Sequence, residues 1–449
     1  MALRTPFLNI KPEEQKQVFW LMAVLALSTL VLELSDVIAT GGFVSKVGPD
    51  NIVFLWIADM VITIITAGIY AMAVDKTDRM KLLKWLSLGF AAVFLIMRIL
   101  FLLKFPDWAA YPLLYILTDQ FYAIFPLAFW AMVNDFYTSA EAKRLYPIII
   151  MGAALGSISG NGLAAISGWI LLRTGGDAPS LLIIGTAILL FAFIALQFAL
   201  PKRTANARQS RDDSFDVRQT IKVGLDYIKN VPIFTFLAIS MLLSGLAFTI
   251  IEYHFIYSVD QSVAQNPLQF QTFYGTFKIV LIVSILIAQA FVSGRFLERI
   301  GLKNSFIFQP VALAAGAVLA ALMPGVLGAA GAKYLVRLIQ QSWDEPARKS
   351  LQNLIPDERR GRVAVMIDRY FYDISTIVGS LVLALLLFLR NLSVISQGQI
   401  INIYLGLAIA AALVAITAAL RLRAKYEQSL LDWRLARSRR KSALDGIEF

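Results

Sequence analysis

The chain has no cysteine and one histidine, His254, in 449 residues. Disulfides, thiolate nucleophiles, zinc-thiolate sites and histidine clusters are therefore excluded, and the redox compartment stays open. Charged side chains are scarce, 16% against 58% hydrophobic, and the mean hydropathy is +0.69. A water-soluble core does not demand that balance. The sequence contains no G-x-x-x-x-G-K-[ST] loop, no G-x-S-x-G and no metal-ligand spacing. An enzyme or an ATP-driven pump is disfavoured on that ground, and no cofactor is expected.

Long apolar runs are what the chain has in abundance. Spans of about 20 apolar residues suit a hydrocarbon layer about 30 Å thick, where each backbone polar group must be satisfied within its own helix. They are read at 18–38, 51–74, 82–103, 112–133, 145–171, 181–200, 231–258, 268–292, 305–323, 325–342, 363–389 and 401–420. The fold class expected is an all-α polytopic membrane protein with twelve transmembrane helices in two six-helix lobes.

Of the 41 Lys and Arg, 32 fall in the N-terminus, the even-numbered gaps and the C-terminal tail. The other gaps hold only Lys46, Lys104, Arg173 and Arg390. By the positive-inside rule both termini face the cytoplasm. The net charge of +11 then orients the chain against anionic lipid and is not a nucleic-acid footprint. The first span is too long for a signal-peptide core, so a retained helix is expected, in a bacterial cytoplasmic membrane.

The organisation reads as an N-terminal lobe (1–200), a cytoplasmic linker (201–230), a C-terminal lobe (231–420) and a basic tail (421–449). Within the linker Val217, Ile221, Leu225 and Ile228 form one apolar stripe, as in a helix lying on a membrane surface. Each lobe has a basic turn after its second span. The second, Gly294 to Lys303, resembles the G-x-L-x-D-R-x-G-R-K turn of the major facilitator superfamily, with Glu298 for Asp and Leu302 for Arg. Gly152, Gly156 and Gly160 make a flat helix face suited to close packing.

Ionisable residues inside spans cost about 2.5–3.5 kcal/mol each on insertion scales, so they mark candidate sites. The first half carries Glu33, Asp36, Asp59 and Asp119 against Arg98; the second carries Lys278, Lys333, Arg337 and Arg369 with Glu252, Asp368 and Asp373. Lys333 and Arg337 lie four apart on one face, where a phosphate or opposing carboxylates could sit between them. Lys278 could join that site. Gating and structural pairing are alternative roles for the three. Glu33 and Asp36 share a face and could share a proton. Asp59 and Asp119 are further coupling candidates. Arg369 has a local partner in Asp373, and Arg98 can snorkel. Tyr115 and Trp130 could stack a base, although core packing or lipid contact is the plainer reading.

Two stretches make a family visible. Phe129-Trp130-Ala131-Met132-Val133-Asn134-Asp135 is followed by Ser139-Ala140-Glu141-Ala142-Lys143-Arg144-Leu145-Tyr146-Pro147 and a glycine-rich helix. This resembles the W-x-x-x-N-D, S-x-E-A-K-R-x-Y-P and glycine-rich fifth helix of the bacterial and plastid ATP/ADP translocase family. The resemblance implies a major-facilitator-like carrier that exchanges ATP for ADP or imports nucleotides. It also assigns motif positions to Asn134, Asp135, Glu141, Lys143 and Arg144, in gating or structural roles. One departure is that 18–44 contains no base, whereas helix 1 of the exchangers carries a phosphate-binding lysine.

The leading expectation is therefore a secondary-active transporter of a small anionic, nucleotide-like solute by alternating access. A proton-coupled carrier of another solute and a non-transporting membrane platform are the alternatives.

Overall fold

The computed structural model describes residues 10–74, 77–198, 217–352, 355, 363–364 and 366–444. Sequence features at Arg4, Lys76, 201–216 and 356–362 lie outside them. The described residues form helices and short connections, with no strand. The helices are α1 (Pro12–Val47), α2 (Ile52–Val74), α3 (Arg79–Leu102), α4 (Asp107–Phe136), α5 (Ser139–Thr174), α6 (Leu182–Phe198), α7 (Val217–Asn230), α8 (Pro232–Ser262) and α9 (Pro267–Ala288). They continue with α10 (Gly294–Ile300), α11 (Leu302–Ser305), α12 (Phe308–Leu322), α13 (Val326–Ile339), α14 (Glu345–Gln352), α15 (Phe371–Asn391) and α16 (Gln397–Leu444).

Among the described residues, eleven helical spans are long and apolar enough to cross a membrane. The twelfth expected span, 325–342, differs for a physical reason. It contains Lys333 and Arg337, α13 is only 14 residues long, and it runs through a widened π turn, Gln340–Asp344, into the charged α14. Widened turns of this kind let a helix change face without breaking.

The chain packs as two compact units, one comprising 1–55, 61–214 and 259–283, the other 56–60, 215–258 and 284–449. In the first, α1 is the central helix and packs along α5, α4 and α6. Its apolar face is buried from Val18 to Val44. The glycine face of α5 makes this approach possible: a Cβ at Gly152, Gly156 or Gly160 would collide with the carbonyl oxygens of Met22, Ala26 and Leu30. The outer surface exposes Ile65, Ile69, Ile96, Ile166 and Phe191, the pattern of helices solvated by hydrocarbon rather than water.

In the second unit α12 packs on α13 and α16. A cluster of apolar side chains gathers one end of it, built from Phe234, Leu237, Phe306, Leu351, Met366, Phe371 and Leu422. The apolar stripe of α7 meets this cluster, with Ile228 buried in it and Leu225 packed against it. Protein thus covers part of the stripe that the sequence suggests for a membrane surface.

Candidate functional site

Three groups of polar side chains stand out. The first lies where α1, α5 and α9 meet in the first unit. Glu33 and Asp36, three residues apart, both reach the Lys278 ammonium, at 2.5 Å and 2.8 Å. Ser157 Oγ donates to Glu33 Oε1 at 3.0 Å, and Asn161 Nδ2 donates to Glu33 Oε2 at 3.1 Å. Thr40 donates to Asp36 at 3.4 Å. The Tyr274 ring stands 5.5 Å from the ammonium. The glycine face of α5 explains the geometry, because α1 can lie close enough for the short Ser157 and Asn161 side chains to reach an acid on it.

The second group is a ladder between α8 and α13 in the second unit. Phe248, Glu252 and Phe255 line one stripe of α8, and Lys333 and Arg337 lie one turn apart on α13. Lys333 Nζ sits 2.6 Å from Glu252 Oε1 and 4.0 Å from the Phe255 ring centre. The Arg337 guanidinium lies 4.2 Å from the Phe248 ring and donates to Gln340 at 3.4 Å. Lys333 is only 3% exposed. Burial of an ammonium demands a carboxylate, and Glu252 supplies one. Lys333 and Arg337 bring two cations to this stripe, Arg337 also acting on the Glu345 carboxyl at the start of α14, while the aromatic rings offer flat apolar faces.

The third group comprises the motif positions of the first unit, which act as fasteners between helix ends. Asp135 accepts from Arg79 at 2.7 Å, joining the end of α4 to the start of α3. Asn134 accepts from the Tyr146 hydroxyl at 2.5 Å, joining α4 to α5. The Trp130 ring packs on Tyr146 and Phe129. Arg144 makes a two-pronged pair with Glu14, at 2.9 Å and 2.6 Å, tying α5 to the start of α1. Glu141 closes a capping box with Thr138 at the start of α5. Its carboxyl is held below the usual range by the Thr138 backbone and hydroxyl hydrogen bonds. The side chain of Lys143 lies outside the described residues.

The other sequence candidates are dispersed. Asp59 is buried and belongs to the second unit, while Asp119 is half-buried on α4. Tyr115 stands 6.4 Å from the Phe43 ring. Arg369 pairs with Asp373 at 3.2 Å, and Arg98 with Asp177 at 2.5 Å. Lys278 belongs to the first unit and Lys333 and Arg337 to the second, and each lysine has a carboxylate partner. His254 shares a 2.8 Å hydrogen bond with Tyr404.

Sequence reasoning missed three partnerships: Glu252 with Lys333, Glu33 with Ser157 and Asn161, and Lys278 with both acids of α1. The second had a signal. Ser157 and Asn161 lie one turn apart beside the glycine face, which is where an acid-bearing neighbour would come closest.

No curated protein matches the chain significantly. Among solved structures it is similar to a mutant form of the nucleoside transporter NupG, with TM-score 0.65 and 16% identity, covering 90% of this chain and 99% of that one. It is also similar to a bacterial homologue of the iron transporter ferroportin in an inward-facing state (TM-score 0.61, 15% identity, coverage 92% and 100%). A third is a bacterial homologue of the human lysosomal transporter Spinster (TM-score 0.56, 13% identity, coverage 94% and 98%). At such identity these show a shared fold, that of the major facilitator transporters. The TLC ATP/ADP transporter model matches residues 91–324, from α3 through the motif fasteners and the α5 glycine face to α12. With more than half of its length matched, the chain belongs to the TLC ATP/ADP transporter family and is a multi-pass membrane transporter.

Proposed function

We propose that this transporter moves a small anionic, nucleotide-like solute by alternating access, with Lys333 and Arg337 drawing its phosphate groups. The observation that carries the reading is the ladder on α8 and α13. Two cations one turn apart, held against two aromatic rings with the Glu252 carboxylate on Lys333, match a ligand that is anionic at one end and flat and apolar at the other. A phosphate would compete with Glu252 for the ammonium, so the existing pair keeps the cation stable while the solute is away. Because α1 has no base between Val18 and Val44, the reading is nucleotide-like and does not single out ATP.

The remaining assignments follow from the same reading. Both termini face the cytoplasm of a bacterial inner membrane, and the basic face contacts anionic lipid. Asp135, Glu141, Arg144 and Arg369 hold helix ends whose rearrangement accompanies transport.

Counterflow in proteoliposomes across a panel of nucleotides tests the function. Lys333→Ala and Arg337→Ala are expected to abolish uptake while the protein stays folded, and unchanged uptake in both would remove them from the mechanism. A second reading, a proton-coupled carrier of another solute, is favoured by the two acids beside Lys278. Uptake driven by a pH gradient with no counter-nucleotide would select it.

A further inference from the structure

The cluster on α1, α5 and α9 holds more oxygen than one lysine requires. Glu33 and Asp36 place two carboxylates on a single ammonium, a formal charge of −1 in a membrane-embedded helix bundle. Ser157 adds a hydroxyl on Glu33 and Asn161 an amide. Asn161 is wholly buried, and its Oδ1 has no hydrogen-bond partner among the described residues. Its Nδ2 also donates to the Ser157 carbonyl, at 2.8 Å. A half-turn of the amide would exchange the two ends, bringing an oxygen to Glu33 where a nitrogen now stands.

We propose that Glu33, Asp36, Ser157 and Asn161 form a binding site for a monovalent cation, Na⁺ or a proton, which the Lys278 ammonium occupies in this conformation. The charge arithmetic supports a monovalent ligand: replacing one ammonium by one Na⁺ or one proton leaves the cluster at −1, whereas a divalent ion would alter it. Either ligand finds partners in the chain. Na⁺ takes oxygen donors, which both carboxylates, the Ser157 hydroxyl and the turned Asn161 amide provide. A proton would be shared between Glu33 and Asp36, with the Asn161 oxygen accepting from a protonated Glu33. The charged and titratable groups at the site are Glu33 and Asp36 from α1 and Lys278 and Tyr274 from α9. Among the described residues, α5 contributes the neutral Ser157 and Asn161. Cation entry and release of Lys278 from α1 are thus one competition, which would couple a cation gradient to movement of α9.

This inference rests on the carrier reading and names its coupling ligand. Cation binding needs no transported solute, so the two can fail separately. The test uses the purified full chain in detergent, following Tm and ²²Na⁺ binding in NaCl against choline chloride at equal ionic strength, across about pH 5.5–8.5. If Na⁺ is the ligand, Lys278→Ala binds it at least about tenfold more tightly than wild type and gains several degrees in NaCl. If the proton is the ligand, Lys278→Ala gains as much on acidification and ignores Na⁺. In either arm Lys278→Ala/Glu33→Gln loses the response. A Lys278→Ala protein indifferent to Na⁺ and to pH overturns the proposal. Should that variant not fold, Ser157→Ala and Asn161→Ala leave every charge in place. They are expected to weaken the wild-type Na⁺ or proton response about tenfold. A wild type that shows no such response, or one that these changes leave intact, overturns it equally.

Discussion

Single side chains in this protein answer to burial before they answer to charge. Lys333 is nearly sealed from solvent and keeps its ammonium because Glu252 stands 2.6 Å away. Removing one partner of a buried pair costs about 3–5 kcal/mol, since the other is stranded, whereas removing both is often nearly neutral. Lys333→Ala is therefore expected to lower Tm by several degrees, and Lys333→Ala/Glu252→Gln to recover most of the loss, as read by thermal unfolding in detergent. Recovery would show that the pair is structurally dispensable and kept for its chemistry. A different titration belongs to Glu345, at the start of α14, outside the apolar spans. Burial, opposed by the neighbouring Arg348, raises its carboxyl above the usual range. The folded state then binds the proton more tightly than the unfolded chain. The stability this contributes is fully present below the unfolded pKa and is lost as pH rises through the folded one. Glu345→Gln cannot lose its proton, so its Tm should fall less than wild type as pH rises above the ordinary carboxylate range. Equal slopes would deny Glu345 this role.

At the scale of elements, close approach is decided by glycine. The α5 face at Gly152, Gly156 and Gly160 rests on the backbone of α1, and that contact is what lets Ser157 and Asn161 reach Glu33. Gly156→Ala pushes a methyl group into the Ala26 carbonyl. Overpacking of this kind costs about 1–3 kcal/mol, and here it should also lengthen the Ser157–Glu33 contact. The expected result is a lower Tm together with a weakened cation response, whereas Gly162→Ala, beside the face, should do neither; its nearest neighbour is the end of the Ile279 side chain. The α13 segment makes a complementary point. Its two bases shorten the apolar run, and the π turn that follows leads directly into α14. The hydropathy that defines the other spans is here exchanged for charge carried into the bundle.

For the molecule as a whole, the distribution of Lys and Arg predicts an orientation that can be measured directly. The chain has no native cysteine, so a single introduced thiol reports its own side of the membrane. Ser393→Cys, in the turn between α15 and α16, should react with an impermeant maleimide added outside intact cells. Lys425→Cys, on the exposed part of α16 beyond the apolar run, should be protected until the cells are permeabilised. The opposite labelling would invert the topology.

Apolar run length, charge spacing and the motif from Trp130 to Pro147 were enough to establish an all-helical membrane transporter and its family, because hydrocarbon leaves the backbone few choices and each span is a local property of about 20 residues. The same local reading named Glu33, Asp36, Lys278, Lys333 and Arg337 as anomalous. It could not say what each anomaly meets. Glu33 and Lys278 are separated by most of the first eight spans, and Glu252 and Lys333 by 81 residues. Such pairings depend on which helix faces turn toward one another, a matter of packing across the bundle that no stretch of the chain specifies alone. Only the tertiary structure decided that Lys278 rests between two acids and that Lys333 is matched by one, because the low dielectric of the interior forces each buried charge to find its counterpart wherever the packing has placed it.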